Sequence, residues 1–136
     1  MVPPVVFDVD GTLTTEWYRD SNVIDVSPNV LMVGLARGLY KSGVPIVIST
    51  ARPEWMRADT EAWLHLNRVE YDDLIMRADT DSRRDYEVKR DQLNLIRSMY
   101  GNPLLWYDDN HDVTDMLRQE GVPVIQVSPS GLPYLR

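Results

Sequence analysis

The stretch Val-Val-Phe-Asp-Val-Asp-Gly-Thr, residues 5–12, places two carboxylates directly after an apolar run. In an extended chain, positions two apart point to the same side, so we expect Asp8 and Asp10 to project together where Gly11 turns the chain. Two carboxylates on one side repel each other unless a cation or a shared proton joins them. The pair is therefore typical of metal-assisted or nucleophilic chemistry. The alternative is a loop rich in Asp and Gly that follows a buried strand.

The length and composition predict one domain over residues 1–136, large enough for its own core. The chain has no cysteine, which excludes disulfides and thiolate metal sites. With 14 basic and 21 acidic residues, a broad basic surface for nucleic acid is not expected. No apolar run reaches the ~18 residues that span a bilayer, and the sequence shows no signal segment. We therefore expect a cytoplasmic protein without membrane contact.

Short apolar runs, none of which alternates between apolar and polar residues, indicate strands buried on both faces. These runs are residues 4–7, 44–48, 74–76, 104–107 and 122–127. Helical patterns separate them, and strands that alternate with helices predict an α/β fold. We expect a doubly wound, Rossmann-like parallel sheet of about five strands with helices on both faces.

The helix boundaries are predicted from capping residues, Pro and Gly. Ser27-Pro28 is expected to start the first helix, in which Leu31, Met32, Leu35 and Leu39 recur at helical spacing. The later helices are expected to open at Pro53, with Trp55 and Leu66 among its apolar residues, at Asp85 as a cap, and near His111. Two further segments are expected on the surface: a flap over residues 14–26, with Trp17 and Tyr18, and a tail over residues 128–136.

In open parallel sheets, ligands collect beyond the carboxyl ends of the strands. The polar side chains predicted at that edge follow the first, second and fourth strands or begin the third long helix. They are Asp8, Asp10, Ser49, Thr50, Arg52, Lys89, Asp108, Asp109 and Asp112. Taken alone, Lys89 is equally typical of a solvated helix lysine. The chemistry therefore depends on whether the fold brings these groups together.

This set of motifs resembles the haloacid dehalogenase superfamily of phosphatases. The segment 7–14 matches the first superfamily motif, Thr50 the second, Lys89 the third, and Asp108-Asp109 with Asp112 the fourth. The resemblance implies that Asp8 is the nucleophile and Asp10 the general acid and base. It also implies that Thr50 and Lys89 hold the phosphoryl oxygens, with Ser49 as the alternative hydroxyl. The implied Mg²⁺ ligands are Asp8, the main-chain carbonyl of Asp10 and Asp108, with Asp109 acting directly or through water.

The intervals between the motifs leave no room for the cap domain that many members of this superfamily carry, so an open site is expected. A narrower resemblance links Thr50-Ala51-Arg52-Pro53 and the spacing of Asp85 and Lys89 to the phosphatase domain of polynucleotide kinases. That domain removes 3′-phosphates from nucleic-acid ends. The substrate-binding residues implied are Gly11, Thr12, Ala51, Arg52, Arg84 and Asp112.

The function predicted is that of a Mg²⁺-dependent phosphomonoesterase that acts on a nucleic-acid 3′ end or a nucleotide. Several arginines are candidates to contact a nucleic-acid backbone: Arg52, Arg57, Arg77, Arg83 and Arg84. One alternative is a phosphatase for mononucleotides or sugar phosphates. The other is a binding module that retains the fold without catalysis.

Overall fold

The computed structural model describes residues 2–17 and 24–128, and these form one sheet with helices on both faces. The strands are β1 (Val5–Phe7), β2 (Ile46–Pro53), β3 (Asp73–Arg77), β4 (Leu105–Asp108) and β5 (Val124–Gln126). The α-helices are α1 (Val30–Lys41), α2 (Arg57–Leu66), α3 (Asp85–Tyr100) and α4 (His111–Gln119). A tight turn, Val9–Leu13, follows β1, and a short 3₁₀ turn, Glu54–Met56, precedes α2.

The sheet has the strand order β3-β2-β1-β4-β5, and all the pairings are parallel. β1 lies in the centre, where Val5 pairs with Ile46 on one side and with Leu105 on the other. This arrangement confirms the predicted five-stranded, doubly wound α/β fold. Because all the strands run in the same direction, the polar residues that end β1, β2 and β4 meet at one edge of the sheet.

Each face of the sheet is covered by a pair of helices, and the strand residues alternate between the two faces. Phe7 and Ile48 pack in a cluster with Ala36 of α1 and Trp63 of α2. Val6, Val47 and Trp106 pack on the opposite face, where Leu93 and Ile96 of α3 and Leu117 of α4 cover them. Continuous apolar runs were therefore the correct signal for strands buried on both sides.

The helix starts differ from the sequence predictions by one or more residues. The N-cap of α1 is Asn29, whose side chain accepts from the main-chain N–H of Met32 at 3.3 Å, rather than Ser27. Pro53 ends β2, and α2 begins only at Arg57. Asp85 is the first residue of α3 and not its cap, because its carboxylate instead accepts from Arg77.

Some residues assigned to the buried helix stripes lie on the surface instead. Trp55 and Leu66 are 70% and 67% exposed, and Leu31 of α1 is 65% exposed. In α1 the buried side chains are Met32, Val33 and Ala36. The expected stripe was therefore rotated by about one position, which places Leu31 in solvent.

The predicted flap and tail fall largely on residues that the structure does not describe. Within the flap, the described ends lie together, since the N–H of Thr15 donates to the carbonyl of Ser27 at 2.9 Å. Tyr18 lies outside the described residues, as does the tail beyond Ser128. Within residues 2–17 and 24–128, no helix is long and apolar enough to cross a membrane.

Capping by Asn29 can be tested with two alanine substitutions. Asn29→Ala should lower the free energy of unfolding by about 1 kcal/mol, because the N–H of Met32 loses its partner. Ser27→Ala, the matched control two residues earlier, should change it by less than about 0.5 kcal/mol. Urea denaturation followed by circular dichroism measures both. An equal loss in the two variants would contradict the assignment of the cap.

Candidate active site

A cavity of about 260 Å³ lies at the carboxyl edge of the sheet, where the predicted site residues were expected to meet. The ends of β1, β2 and β4 and the first turns of α3 and α4 form its walls. Six of the predicted residues line it: Asp8, Asp10, Ala51, Arg52, Lys89 and Asp108. The fold therefore brings together groups that are up to a hundred positions apart in the chain.

Lys89 occupies the centre of this site. Its ammonium group donates to Asp8 Oδ1 at 2.9 Å, to Asp108 Oδ2 at 3.0 Å and to the carbonyl of Ser49 at 2.6 Å. All of these groups are buried. Because an unpaired buried charge is energetically costly, the ammonium group and the two carboxylates stabilise one another in the interior.

Asp109 completes an acidic cluster with Asp8 and Asp108, and each of the three residues offers an oxygen within 4.8 Å of the others. Asp109 Oδ2 accepts from the indole N–H of Trp17 at 3.3 Å. Asp109 Oδ1 is buried and has no hydrogen-bond partner among residues 2–17 and 24–128, which the structure describes. A buried carboxylate oxygen without a partner beside two further carboxylates fits a hard cation such as Mg²⁺, which prefers oxygen ligands.

The protonation of this cluster reflects its burial and its excess of negative charge. Burial, followed by the charge of Asp108, raises the pKa of Asp8 well above its usual value. Burial also raises the pKa of Asp109, to about 6. Burial alone would lower the pKa of Lys89, but the charges of Asp108 and Asp8 outweigh it and raise that pKa. Lys89 therefore stays charged, and one cation compensates only part of the charge of three carboxyl groups.

Gly11 and Thr12, in the turn after β1, lie against Asp109 and Asp8 of the acidic cluster. Gly11 has a positive φ of 79°, and a Cβ added there would lie 2.1 Å from Asp109 Oδ2. The hydroxyl of Thr12 donates to Asp8 Oδ2 at 3.2 Å. These two residues, predicted to bind substrate, contact the carboxylates directly in this structure.

Asp10 lines the same cavity as Asp8, but from the turn after β1 rather than from a continued strand. β1 ends at Phe7, and Asp10 belongs to the tight turn, where its carboxylate forms a two-bond ion pair with Arg52. The Nε and Nη2 groups of Arg52 donate to it at 2.9 and 2.7 Å, and Nη1 donates to the hydroxyl of Thr60 at 3.0 Å. Because both side-chain oxygens of Asp10 are engaged, its main-chain carbonyl is the cation ligand that remains to be expected from it.

The two candidate hydroxyls of the second motif point to different partners. The Ser49 hydroxyl donates to Gln92 Oε1 on α3. The Thr50 hydroxyl accepts from the main-chain N–H of Arg52 at 3.1 Å, and the Thr50 carbonyl accepts from Gln92 Nε2 at 2.8 Å. The Ser49 hydroxyl is thus used against a helix, which leaves Thr50 as the better candidate to contact substrate.

Most of the arginines expected to contact a nucleic-acid backbone are bound to other parts of this chain. Arg77 donates to the carbonyls of Ala51, Asp81 and Arg83 and to Asp85, so it holds the loop between β3 and α3. Arg57 pairs with Glu54, and Arg83 pairs with Asp81 and Asp91. Arg77 lines the cavity, whereas Arg57 and Arg83 are not among the described residues that line it.

Arg84 and Asp112, also predicted to bind substrate, do not reach this cavity. They line a separate cavity of about 250 Å³ between the first turns of α3 and α4, together with Tyr86 and Arg90. The two cavities are neighbours, because Asp85 and Val113, in the first turns of the same two helices, line the larger one.

Sequence reasoning did not predict the roles of Gln92, Thr60 and Arg77 or the bond from Trp17 to Asp109. Gln92 is three positions after Lys89 and therefore lies on the same side of α3, which was the available signal. Thr60 and Arg77 act through contacts between distant elements, for which the sequence carries no local pattern. Only packing reveals them.

A model of the polynucleotide kinase PNKP phosphatase domain matches residues 3–131 of this chain. Two solved structures, a Pnkp1/Rnl/Hen1 complex and the Pnkp1/Rnl/Hen1 RNA repair complex, contain chains that are 27% identical, with TM-scores of 0.81 and 0.83. Each match covers 93% of this chain but only 46% and 42% of the matched chain, so this chain spans less than half of either.

A protein from Mesorhizobium loti described as HAD-like phosphatase has the same fold, with 17% identity, a TM-score of 0.76 and coverage of 99% of this chain and 76% of that one. No curated protein sequence matches the chain.

The contact of Gly11 with Asp109 can be separated from backbone strain. Gly11→Ala should lower phosphatase activity on an aryl phosphate by about 10–100-fold, because the new methyl group displaces the Asp109 carboxylate. Gly43→Ala is the matched control, since Gly43 also has a positive φ, of 91°, but a Cβ there meets no atom within 4 Å. The control should lose stability and keep its activity. Equal activity in the two variants would refute the role of the contact.

The charge of Lys89 is expected to stabilise the fold. Lys89→Met should lower the free energy of unfolding by about 3–5 kcal/mol in metal-free buffer, because it leaves buried carboxylates without their cation. Lys41→Met removes an exposed lysine at the end of α1 and should change it by less than about 0.5 kcal/mol. Urea denaturation at neutral pH compares the two variants. A Lys89→Met protein as stable as wild type would show that the ion pairs contribute nothing net.

Proposed function

We propose that this chain, which belongs to the family of polynucleotide kinase PNKP phosphatase domains, hydrolyses a 3′-phosphate at a nucleic-acid end. It is a phosphatase of the haloacid dehalogenase superfamily. The reaction proposed passes through a phosphorylated Asp8 and uses Mg²⁺. The observation that carries this proposal is the buried cluster in which Lys89 bridges Asp8 and Asp108. Beside them lies Asp109 Oδ1, which is buried and accepts no hydrogen bond from the described residues.

Asp8 is the proposed nucleophile because it lies at the end of the central strand and faces the cavity. Lys89 and Thr12 hold its two oxygens separately, at 2.9 and 3.2 Å, which fixes the direction of the carboxylate. Attack on phosphorus would form an acyl phosphate on Asp8 and release the alcohol, and water would then cleave that intermediate. In this proposal the buried ammonium group of Lys89 and the Thr50 hydroxyl offset charge on the phosphoryl oxygens.

Asp8, Asp108 and Asp109 are the side chains that would hold Mg²⁺. The ion would supply positive charge at the reacting phosphate. The acidic cluster supports this assignment, as does the absence of any cysteine from the chain. The same charge would favour the ionised form of Asp8, the form that can attack, although burial raises its pKa.

Asp10 is the proposed general acid and base, and its ion pair with Arg52 sets a condition on that role. Both oxygens of Asp10 bind Arg52, so one of them must exchange this partner for the leaving oxygen of the substrate. The guanidinium N–H that this exchange releases can then donate to the phosphate. The two roles predicted for Asp10 and Arg52 are thus linked in one step.

The choice of substrate is supported by the family and by the two structures at 27% identity, one of which is an RNA repair complex. The cavity itself is small, about 260 Å³, and its arginines are engaged with protein groups. These features favour recognition of the terminal nucleotide over a long backbone footprint. We therefore expect weak, short-range binding with a shallow dependence on salt.

The nucleophile assignment predicts the behaviour of two variants. Asp8→Asn should lower turnover of an aryl phosphate by at least roughly 10⁴-fold without loss of fold, because an amide cannot attack phosphorus. Asp10→Asn should still release one equivalent of nitrophenolate in a burst, since this leaving group needs no proton, and then turn over slowly.

Rapid-quench kinetics and mass spectrometry of the acid-stable phosphopeptide measure these outcomes. Asp59→Asn, an exposed aspartate of α2, serves as the control. Phosphate trapped on a residue other than Asp8 would refute the scheme.

The substrate and the cofactor are tested together in a panel assay. We expect activity only after addition of Mg²⁺ to chelator-treated protein, and a higher kcat/KM for a 3′-phosphorylated oligonucleotide than for its 5′-phosphorylated isomer. The matching 3′-mononucleotide and a sugar phosphate complete the panel. If the 3′-mononucleotide or the sugar phosphate is an equally good substrate, or the 5′-isomer a better one, the end-processing proposal fails and a small-molecule phosphatase takes its place. Full activity in excess chelator would exclude the Mg²⁺ role.

A further inference from the structure

Trp17 lines the wall of the cavity and is partly exposed to solvent, which is uncommon for a tryptophan side chain. Its side chain is 47% exposed, although the indole is among the largest apolar groups in the chain. The ring lines the cavity, and its N–H donates to Asp109 Oδ2 at 3.3 Å. The bond fixes the edge of the ring toward the acidic cluster, while part of the ring stays open to solvent.

The rest of the cavity wall explains why an exposed aromatic ring is useful there. Eight of the twelve described residues that line the cavity are charged or polar, and the other four are Trp17, Ala51, Pro53 and Val113. A nucleotide carries a flat base in addition to its phosphate, and such a base binds best to an apolar, aromatic surface, because base–aromatic stacking provides much of the affinity for unpaired nucleotides. Charged groups alone would hold the phosphate and leave the base in water.

The other tryptophans do not offer such a surface at the site. Trp63 and Trp106 are buried in the two cores. Trp55 is more exposed than Trp17, at 70%, but it is not among the described residues that line the cavity. Exposure and position within the site therefore coincide at Trp17.

We propose that Trp17 forms a nucleobase subsite, in which its ring stacks on the base of the nucleotide whose phosphate reaches Asp8. This inference rests on the proposed function and adds to it the group that recognises the base. It also assigns a second task to the same side chain. The indole N–H holds Asp109 Oδ2 and so positions the carboxylate whose Oδ1 has no hydrogen-bond partner in the described part of the chain and would be available to a cation.

The two tasks can be separated, because one belongs to the ring and the other to the N–H. Trp17→Phe keeps an aromatic face and removes the donor to Asp109. Trp17→Ala removes both. Trp55→Ala is the matched control, since it removes a more exposed indole that lies outside the cavity.

Base recognition is measured as the ratio of kcat/KM for adenosine 3′-phosphate to that for glycerol 2-phosphate, which has the same kind of secondary phosphate ester without a base. Trp17→Ala should reduce this ratio by about tenfold, mainly through KM. Trp17→Phe should keep most of it, and Trp55→Ala should leave it unchanged. A Trp17→Ala protein that loses activity equally on both substrates, or keeps the wild-type ratio, would overturn the subsite.

Cation positioning is measured separately, by calorimetric titration of Mg²⁺ into the substrate-free proteins. Trp17→Phe and Trp17→Ala should both bind Mg²⁺ more weakly, by about tenfold, because Asp109 loses its donor. Unchanged Mg²⁺ affinity in both variants would overturn the positioning role.

Failure of the proposed function would look different. The wild-type protein would then cleave an aryl phosphate and leave both adenosine 3′-phosphate and a 3′-phosphorylated oligonucleotide intact.

Discussion

The ammonium group of Lys89 is the constraint on which the rest of the site depends. It joins β1 through Asp8, β2 through the carbonyl of Ser49, and β4 through Asp108. These three strands are neighbours in the sheet, so one side chain from α3 fixes the relative positions of their ends. The desolvation of buried charges is costly, and each of these groups is tolerable only because the others are present. The contacts that position the candidate catalytic groups are therefore the same contacts that stabilise the ends of these strands.

Two arginines extend this order outward from the cluster. Arg52 holds Asp10 with two parallel bonds and reaches Thr60 on α2 with a third, while Arg77 gathers the loop that leads into α3. The planar guanidinium group can serve several acceptors at once, which a lysine cannot do in the same geometry. The arginines near the site therefore act first as structural elements, and this limits how many of them remain for a polyanionic ligand.

The sequence predicted the sheet, its parallel order and the edge at which Asp8, Lys89 and Asp108 converge, because apolar runs and the direction of parallel strands decide these features. It did not predict which cation pairs with which carboxylate. Asp10 and Arg52 are 42 positions apart, and their pairing depends on the tight turn that replaces a continued strand after Phe7. The same reason explains the helix errors: Asn29 rather than Ser27 caps α1, and Leu66 is exposed, because the boundaries depend on packing that composition does not encode.

The unpartnered oxygen of Asp109 has a thermodynamic consequence for the whole domain. A divalent ion that binds this cluster only in the folded chain shifts the folding equilibrium by RT ln(1 + [L]/Kd), about 2.7 kcal/mol at a hundredfold excess over Kd. The apparent melting temperature then rises with the concentration of free ion, even when no substrate is present. Thermal denaturation would in that case serve as a gauge of ion occupancy that is independent of turnover, and the abundance of the folded protein would follow the ionic content of its surroundings.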